Sequence, residues 1–196
     1  SFSILLFDVF SHKSVKFSTL EQLILFSCRF IMLKQCCALL EQRQQTVAFI
    51  ESASSGYLCS QFSIYKNSGA NILLGGLVSY DPSIKREILK VSAEMIDTYT
   101  AESPEVTQAM AIQGQKLFSR ADFVVACTGL LKSGGSATPE KPVGTFFIAI
   151  QYLQQTYHYQ YCLGGNPLQR LEQLTNLVAQ NLIDLIQQDS NTPTTS

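Results

Sequence analysis

The run "MLKQCCALLEQRQQ" spaces Leu33, Cys36, Cys37 and Leu40 three or four positions apart, which puts them on one helical face before the polar "EQRQQ" closes it. β-Formers follow in "TVAFIES". Small hydroxyls then crowd "SASSG" before "GYLCSQF" resumes a helical pattern that "NSGA" breaks. A second apolar strand, "NILLGGLVSY", feeds a helix at "DPSIKREIL", where Asp81 reads as N-cap and Pro82 occupies the first turn. Ser103 and Pro104 repeat that device and open a helix in which Val106, Ala109, Met110, Gln113 and Leu117 share a face. "DFVVACTGL" is short, continuous and β-branched, as a buried strand should be, and a Gly-rich loop, "LLKSGGSATPEKP", follows it. "VGTFFIAIQYL" and "TYHYQYCL" pair as a hairpin, and the alternation of Tyr157, Tyr159 and Tyr161 with His158 and Gln160 reads as sheet packing. Leu168, Leu171, Leu174, Leu177, Val178, Leu182, Leu185 and Ile186 then stripe a long amphipathic helix.

Strands alternating with helices, plus one hairpin, predict an α/β fold: a three-layer α/β/α sandwich with a mixed, mostly parallel sheet. A length of 196 residues, 46% apolar and 15% charged, suits one domain with a sizeable core, expected over residues 32–188. The closing residues 189–196 are polar and expected to fray. Residues 1–31 read as an extension whose origin stays open between a docking segment and read-through upstream of a start at Met32. Their apolar patches are broken by Asp8, Lys13, Lys16, Glu21 and Arg29, so no bilayer-spanning run and no membrane partner is expected. The apolar "ILLF" precedes the basic residues, the reverse of a secretory signal.

Charge and cysteine usage narrow the chemistry. A net charge of −1 without Lys/Arg blocks leaves no electrostatic footprint for nucleic acid. The six cysteines contain no C-x-x-C pair and include the adjacent Cys36 and Cys37, which fits free thiols in a cytoplasmic protein better than a disulfide frame or zinc cage. His12 and His158 are the two histidines, far apart in sequence, so a Ser-His-Asp triad or a His-based metal site has little to draw on. No metal or cofactor is expected, and a hydrolase built on this chain needs a base other than histidine.

Ligands of open α/β sheets sit beyond the carboxyl ends of the strands. Three segments qualify here: 51–56, 79–85 and 128–141. Along the chain, "TVAFIESASSG", "LGGLVSYDPSIKREIL", "ESPEVTQAMA", "CTGLLKSGG", "TPEKPVGT" and "LGGN" fall in the order and spacing of the CinA C-terminal domain family, which this chain resembles over about residues 32–186. Members of that family include nicotinamide-nucleotide amidohydrolases. The resemblance therefore implies hydrolysis of the carboxamide of nicotinamide mononucleotide to nicotinate mononucleotide and ammonia, in pyridine nucleotide salvage, by a homodimer or higher homo-oligomer. It implies Ser52 as nucleophile, Tyr80 as its hydroxyl partner and Lys85 as the basic partner. A catalytically weakened nucleotide-binding or protein-interaction module, linked to competence or DNA-damage responses, is the alternative.

The residue types make chemical sense of those roles. A serine hydroxyl is scarcely ionised at neutral pH and needs a base, and a lysine serves once burial or nearby positive charge lowers its pKa. Lys85 stands five residues after Tyr80, about a turn into its helix, so both are expected to face one cleft. Backbone N–H groups around Ser54, Ser55 and Gly56 are expected to bind an oxyanion or phosphate. Thr128, Gly129, Gly134 and Gly135 are expected to hold a ribose-phosphate, with Lys141 supplying a cation. Glu51 is expected to orient a backbone amide or meet the carboxamide. Ordinary readings stand beside these: Ser54 and Ser55 as helix caps, Tyr80 as a rim aromatic, Lys85 and Lys141 as solvated charges. Three departures from the family pattern are visible, with Ala53, Ser54 and Ser55 in place of Cys-Thr-Gly, Leu130, Leu131, Lys132 and Ser133 in place of a small, Gly-rich continuation after Thr-Gly, and Pro167 in place of an arginine.

Overall fold

The computed structural model describes residues 31–191; the expected extension up to residue 30 and the last five residues lie outside them. In chain order the elements are α1 (Ile31–Arg43), β1 (Val47–Glu51), α2 (Tyr57–Tyr65), β2 (Leu73–Val78), α3 (Pro82–Glu87), α4 (Ala93–Tyr99), α5 (Pro104–Leu117), β3 (Phe123–Gly129), β4 (Thr145–Tyr152), β5 (Gln155–Cys162) and α6 (Pro167–Asn191). One five-stranded sheet runs β2-β1-β3-β4-β5. β1 pairs in parallel with β2 and β3, and β4 lies antiparallel between β3 and β5, so four strands point one way and β4 is reversed.

Strand alternation sorts the core into two layers of helices. On one face Val47, Phe49, Phe123, Val125, Phe146, Ile148 and Ile150 meet α1, α2 and α6. On the other Ala48, Ile50, Val124, Ala126 and Ala149 meet α5 and the Leu89–Met95 stretch. Small residues on this second face let α5 approach closely: a Cβ on Gly114 would sit 2.5 Å from Ile50 Cγ1. Burial of these side chains, at roughly 25 cal/mol per Å² of apolar surface, is what holds the three layers together.

Most sequence signals are realised. Asp81 accepts from the Ser83 amide at 2.8 Å with Pro82 next in line, and Ser103 Oγ accepts from the Val106 amide at 3.2 Å ahead of Pro104. Tyr157, Tyr159 and Tyr161 pack on the core while His158 and Gln160 face out. Three details differ. Helix α4, capped by Ser92 Oγ on the Met95 amide, was not anticipated because it is short and only Met95 and Ile96 pack, partly buried, on the core. Leu168 stands 56% exposed in the first turn of α6, off the stripe that the rest of the helix buries. α6 also runs on to Asn191, past the expected domain end. Among the described residues no helix is long and apolar enough to cross a membrane.

Candidate active site

The carboxyl ends of β1, β2 and β3 meet at one edge of the sheet, and Ser52 leaves that edge from the central strand of the three. Its amide still bonds the Cys127 carbonyl at 2.9 Å, as if the ladder continued. The chain then turns: the Ser55 amide bonds the Ser52 carbonyl at 3.1 Å, and Ser55 takes φ 51°. Ser52 is thus presented on a sharp strand-to-helix turn, 8% exposed.

Lys85 reaches it from α3. The Asp81 cap fixes where that helix starts, and Lys85 is its buried residue, 1% exposed. Its Nζ donates to Ser52 Oγ at 2.9 Å and to the Ser79 carbonyl at 2.7 Å. Burial holds the Lys85 pKa below the usual lysine range, against the opposing pull of the Glu102 and Asp81 carboxylates. As an ammonium the group donates to both oxygens. As a neutral amine it keeps its bond to the Ser79 carbonyl and offers its lone pair to the Ser52 hydroxyl.

Ser79 was not anticipated as part of this arrangement. It is fully buried, with its amide on the Glu51 carbonyl at 2.7 Å, so it extends the β1–β2 ladder and aims its own carbonyl at the amine. The alternation that turns Ser79 inward turns Tyr80 outward. Tyr80 is 71% exposed and makes no hydrogen bond to Ser52 or Lys85. The structure therefore joins Ser52 and Lys85 and leaves Tyr80 at the rim.

Glu51 occupies the amides expected to be free. Gly56 is the N-cap of α2 and has no side chain to cap with. The Glu51 carboxylate does this from the strand, accepting from Gly56 N at 3.0 Å, Leu58 N at 3.1 Å and Cys59 N at 2.8 Å. Burial raises the Glu51 pKa, and these N–H donors pull it back. An oxyanion or phosphate at Gly56 would have to displace a carboxylate, so this end of α2 is a structural cap. The Ser55 amide is likewise spent on the turn. The Ala53 amide, directly after Ser52, meets no backbone carbonyl. Ser54 is buried beside the Glu51 carboxylate and the Cys127 thiol, with its Oγ held in no well-formed hydrogen bond. Burial pushes the Cys127 thiol up to about 12, so the sulfur at this strand end is a neutral thiol and no rival nucleophile.

The third segment is more constrained than expected. Thr128 is fully buried, its Oγ1 2.6 Å from Thr107 Oγ1 on α5. Gly129 lies where β4 crosses close, since a Cβ there would be 2.6 Å from the Thr145 carbonyl oxygen; it serves strand packing. Gly134 and Gly135 lie on the loop between β3 and β4 with positive φ, and a Cβ on Gly134 would meet open space. Lys141 donates to Thr100 Oγ1 at 2.9 Å, the Glu102 carbonyl at 2.9 Å and Ser136 Oγ at 2.7 Å, so its three N–H bonds are engaged within the protein. Arg170 also turns inward, to the carbonyls of Leu163 and Leu131. Among the described residues no three His, Cys, Asp or Glu side chains gather to hold a metal ion.

A family model described as the CinA C-terminal domain matches residues 31–186. The chain belongs to the CinA C-terminal domain family. Among relatives, the CinA-like protein of Crocosphaera subtropica is 39% identical over 112 residues, 57% of this chain and 26% of that protein. The CinA-like protein of Mycolicibacterium gilvum is 38% identical over 123 residues, 63% of this chain and 28% of that protein. This CinA-family chain thus spans well under a third of the length of those curated relatives. Solved CinA superfamily structures share the fold. One from Klebsiella pneumoniae superposes with a TM-score of 0.74 at 21% identity, covering 82% of this chain and 98% of that one. A competence/damage inducible protein from Agrobacterium tumefaciens gives 0.70 at 25% identity, covering 79% and 95%.

Proposed function

We propose that this CinA-family domain is a Ser/Lys amidohydrolase that cleaves the carboxamide of nicotinamide mononucleotide. The observation that carries the reading is the buried 2.9 Å contact between Ser52 Oγ and a lysine amine without a carboxylate hydrogen-bonded to it. Neutral Lys85 takes the Ser52 proton as Oγ attacks the carboxamide carbon, giving a tetrahedral oxyanion. The Ala53 amide is the N–H nearest in sequence for that charge. Collapse breaks the C–N bond, and the Lys85 ammonium returns its proton to the departing nitrogen, which leaves as ammonia. A water molecule then attacks the acyl-serine, giving its proton to Lys85, and the carboxylic acid departs as Ser52 is restored. A cationic pyridinium above the site would favour the neutral amine further. Tyr80, on the rim, fits a role against the substrate rather than within the proton path. Gly134, where a Cβ would meet open space, with Gly135 beside it against Leu130, remains the part of the β3–β4 loop for a ribose-phosphate. The domain is expected to act in the cytoplasm as a homo-oligomer.

Ammonia release from nicotinamide mononucleotide tests this reading. Release by the wild-type chain that disappears in Ser52→Ala supports it. Nucleotide binding without release would instead support the binding module, which the occupied α2 amides and the outward Tyr80 favour. Release unaffected by Ser52→Ala would remove the nucleophile assignment.

A further inference from the structure

Ser52 and Lys85 come from different elements, one from the end of β1 and the other from α3, and main-chain packing alone does not hold two side chains at 2.9 Å. On the lysine side the strand ladder does this. The Ser79 carbonyl accepts from the amine at 2.7 Å, and Ser79 is fastened to β1, its amide and its hydroxyl both donating to the Glu51 carbonyl at 2.7 and 3.4 Å. On the serine side the strand gives out. The chain turns through two consecutive left-handed residues, Ser55 at φ 51° and Gly56 at φ 90°. A serine keeps that conformation only where its surroundings impose it. Within the turn the Ser55 amide and hydroxyl reach back to the Ser52 carbonyl at 3.1 and 3.3 Å. Across it the Glu51 carboxylate takes the amides of Gly56, Leu58 and Cys59 at 3.0, 3.1 and 2.8 Å, so the residue before Ser52 is bonded to three residues beyond the turn.

We infer that Glu51 is a positioning residue: its carboxylate, closed over residues 52–55 onto the first amides of α2, holds the strained turn in the shape that keeps Ser52 Oγ on the Lys85 amine. Glu51 thereby meets both halves of the pair, the base through its carbonyl and Ser79, the serine through its carboxylate and the turn. It bonds neither Ser52 Oγ nor Lys85 Nζ itself. A carboxylate suits the task because both oxygens accept: Oε2 from Gly56 and Leu58, Oε1 from Cys59. An amide in its place turns an NH₂ group toward at least one of those N–H donors, and an aspartate is one methylene too short to reach them from the same backbone. The inference rests on the reading of Ser52 and Lys85 as nucleophile and base, but not on the identity of the amide.

A fluorophosphonate probe tests it on the full chain. Ser52 Oγ bonds to phosphorus, fluoride leaves, and the hydroxyl proton passes to Lys85, so the labelling rate reads the alignment of the pair. The rate is measured on samples that circular dichroism shows to be folded, which separates alignment from stability. Glu51→Gln is expected to lower it about 10–100-fold, the scale of loss that a displacement near 1 Å brings. Glu51→Asp keeps the charge and withdraws the oxygens, and is expected to lower the rate at least about tenfold. Val178→Ala, a core substitution on α6 away from the site, should lower the urea midpoint and leave the labelling rate unchanged. Should one Glu51 variant fail to fold, the other carries the test. Wild-type labelling rates in a folded Glu51 variant whose urea midpoint has dropped would make the carboxylate a helix cap alone and overturn the inference. A wild-type rate in Glu51→Asp beside a loss in Glu51→Gln would overturn it too, since charge rather than placement would then matter, and so would an equal loss in Val178→Ala. Absence of Ser52 labelling in the wild type would overturn it together with the catalytic reading.

Discussion

Lys85 and Lys141 stand on neighbouring segments at one edge of the sheet, each with its amine held by short bonds, yet their surroundings differ in one respect. Lys141 meets two hydroxyls, a carbonyl and, through Ser136, a carboxylate, so each N–H of its amine has an acceptor within the protein. Lys85 meets one hydroxyl and one carbonyl inside a buried pocket, with its carboxylates acting only through space. The same side chain is a strut on the β3–β4 loop and, on the proposed reading, a base beside Ser52.

Removing the amine should separate the two most sharply. Lys85→Met and Ser52→Ala are each expected to lower ammonia release from nicotinamide mononucleotide by at least about 10³-fold, and the double variant little further, because the pair acts as a unit. Circular dichroism of the same samples checks that the fold survives. Glu51→Gln addresses the support beneath the Ser52 turn. It sets an amide where three backbone N–H groups need an acceptor, and should cost about 1–3 kcal/mol in urea unfolding.

Titration gives a finer contrast. The native Lys85 pKa is lowered, so between that value and the ordinary lysine value near 10.5 the unfolded chain binds a proton that the native chain does not. Over that window the wild type should gain stability with rising pH relative to Lys85→Met, and below it the difference should be flat. Equilibrium unfolding at a series of alkaline pH values reads this directly; a difference that falls as pH rises would mean that Lys85 is stabilised as an ammonium. A smaller effect is expected at Ser55, whose φ of 51° is unfavourable for any residue but glycine. Ser55→Gly should raise stability by about 0.5–1 kcal/mol, measured by the urea midpoint. Smallest of all, Tyr80→Phe should change ammonia release by less than about tenfold, since the hydroxyl lies outside the proton path.

The frame of the molecule was readable because its signals are local. Asp81–Pro82 and Ser103–Pro104 announce their helices within three residues, and the β-branched run at 123–127 has no other plausible place than the middle of a sheet. The pairing of Ser52 with Lys85 was readable only through the family pattern, because 33 residues separate them and nothing in either segment states their distance. What was missed depends on competition between partners. Sequence shows that α2 begins with amides able to bind an anion and that Glu51, just ahead of it, can orient a backbone amide, but not that its carboxylate claims three of them. It shows a lysine in "PEKPVG", but not that Thr100, Glu102 and Ser136 surround it. The turn at Leu153–Gln154, with φ of 48° and 64°, was visible only as a gap in the hairpin pattern, since it lacks the Asn-Gly that usually marks such geometry.

The central claim is that Lys85 is the group that removes the proton from Ser52. Ammonia release measured across pH for the wild type and for Lys85→Arg, which keeps a positive charge but cannot give up its proton, tests it most directly. With Lys85 as the base, the wild-type rate climbs with pH and the Lys85→Arg rate is lowered at least about 10³-fold at every pH. A Lys85→Arg variant that keeps most of the wild-type rate would contradict it.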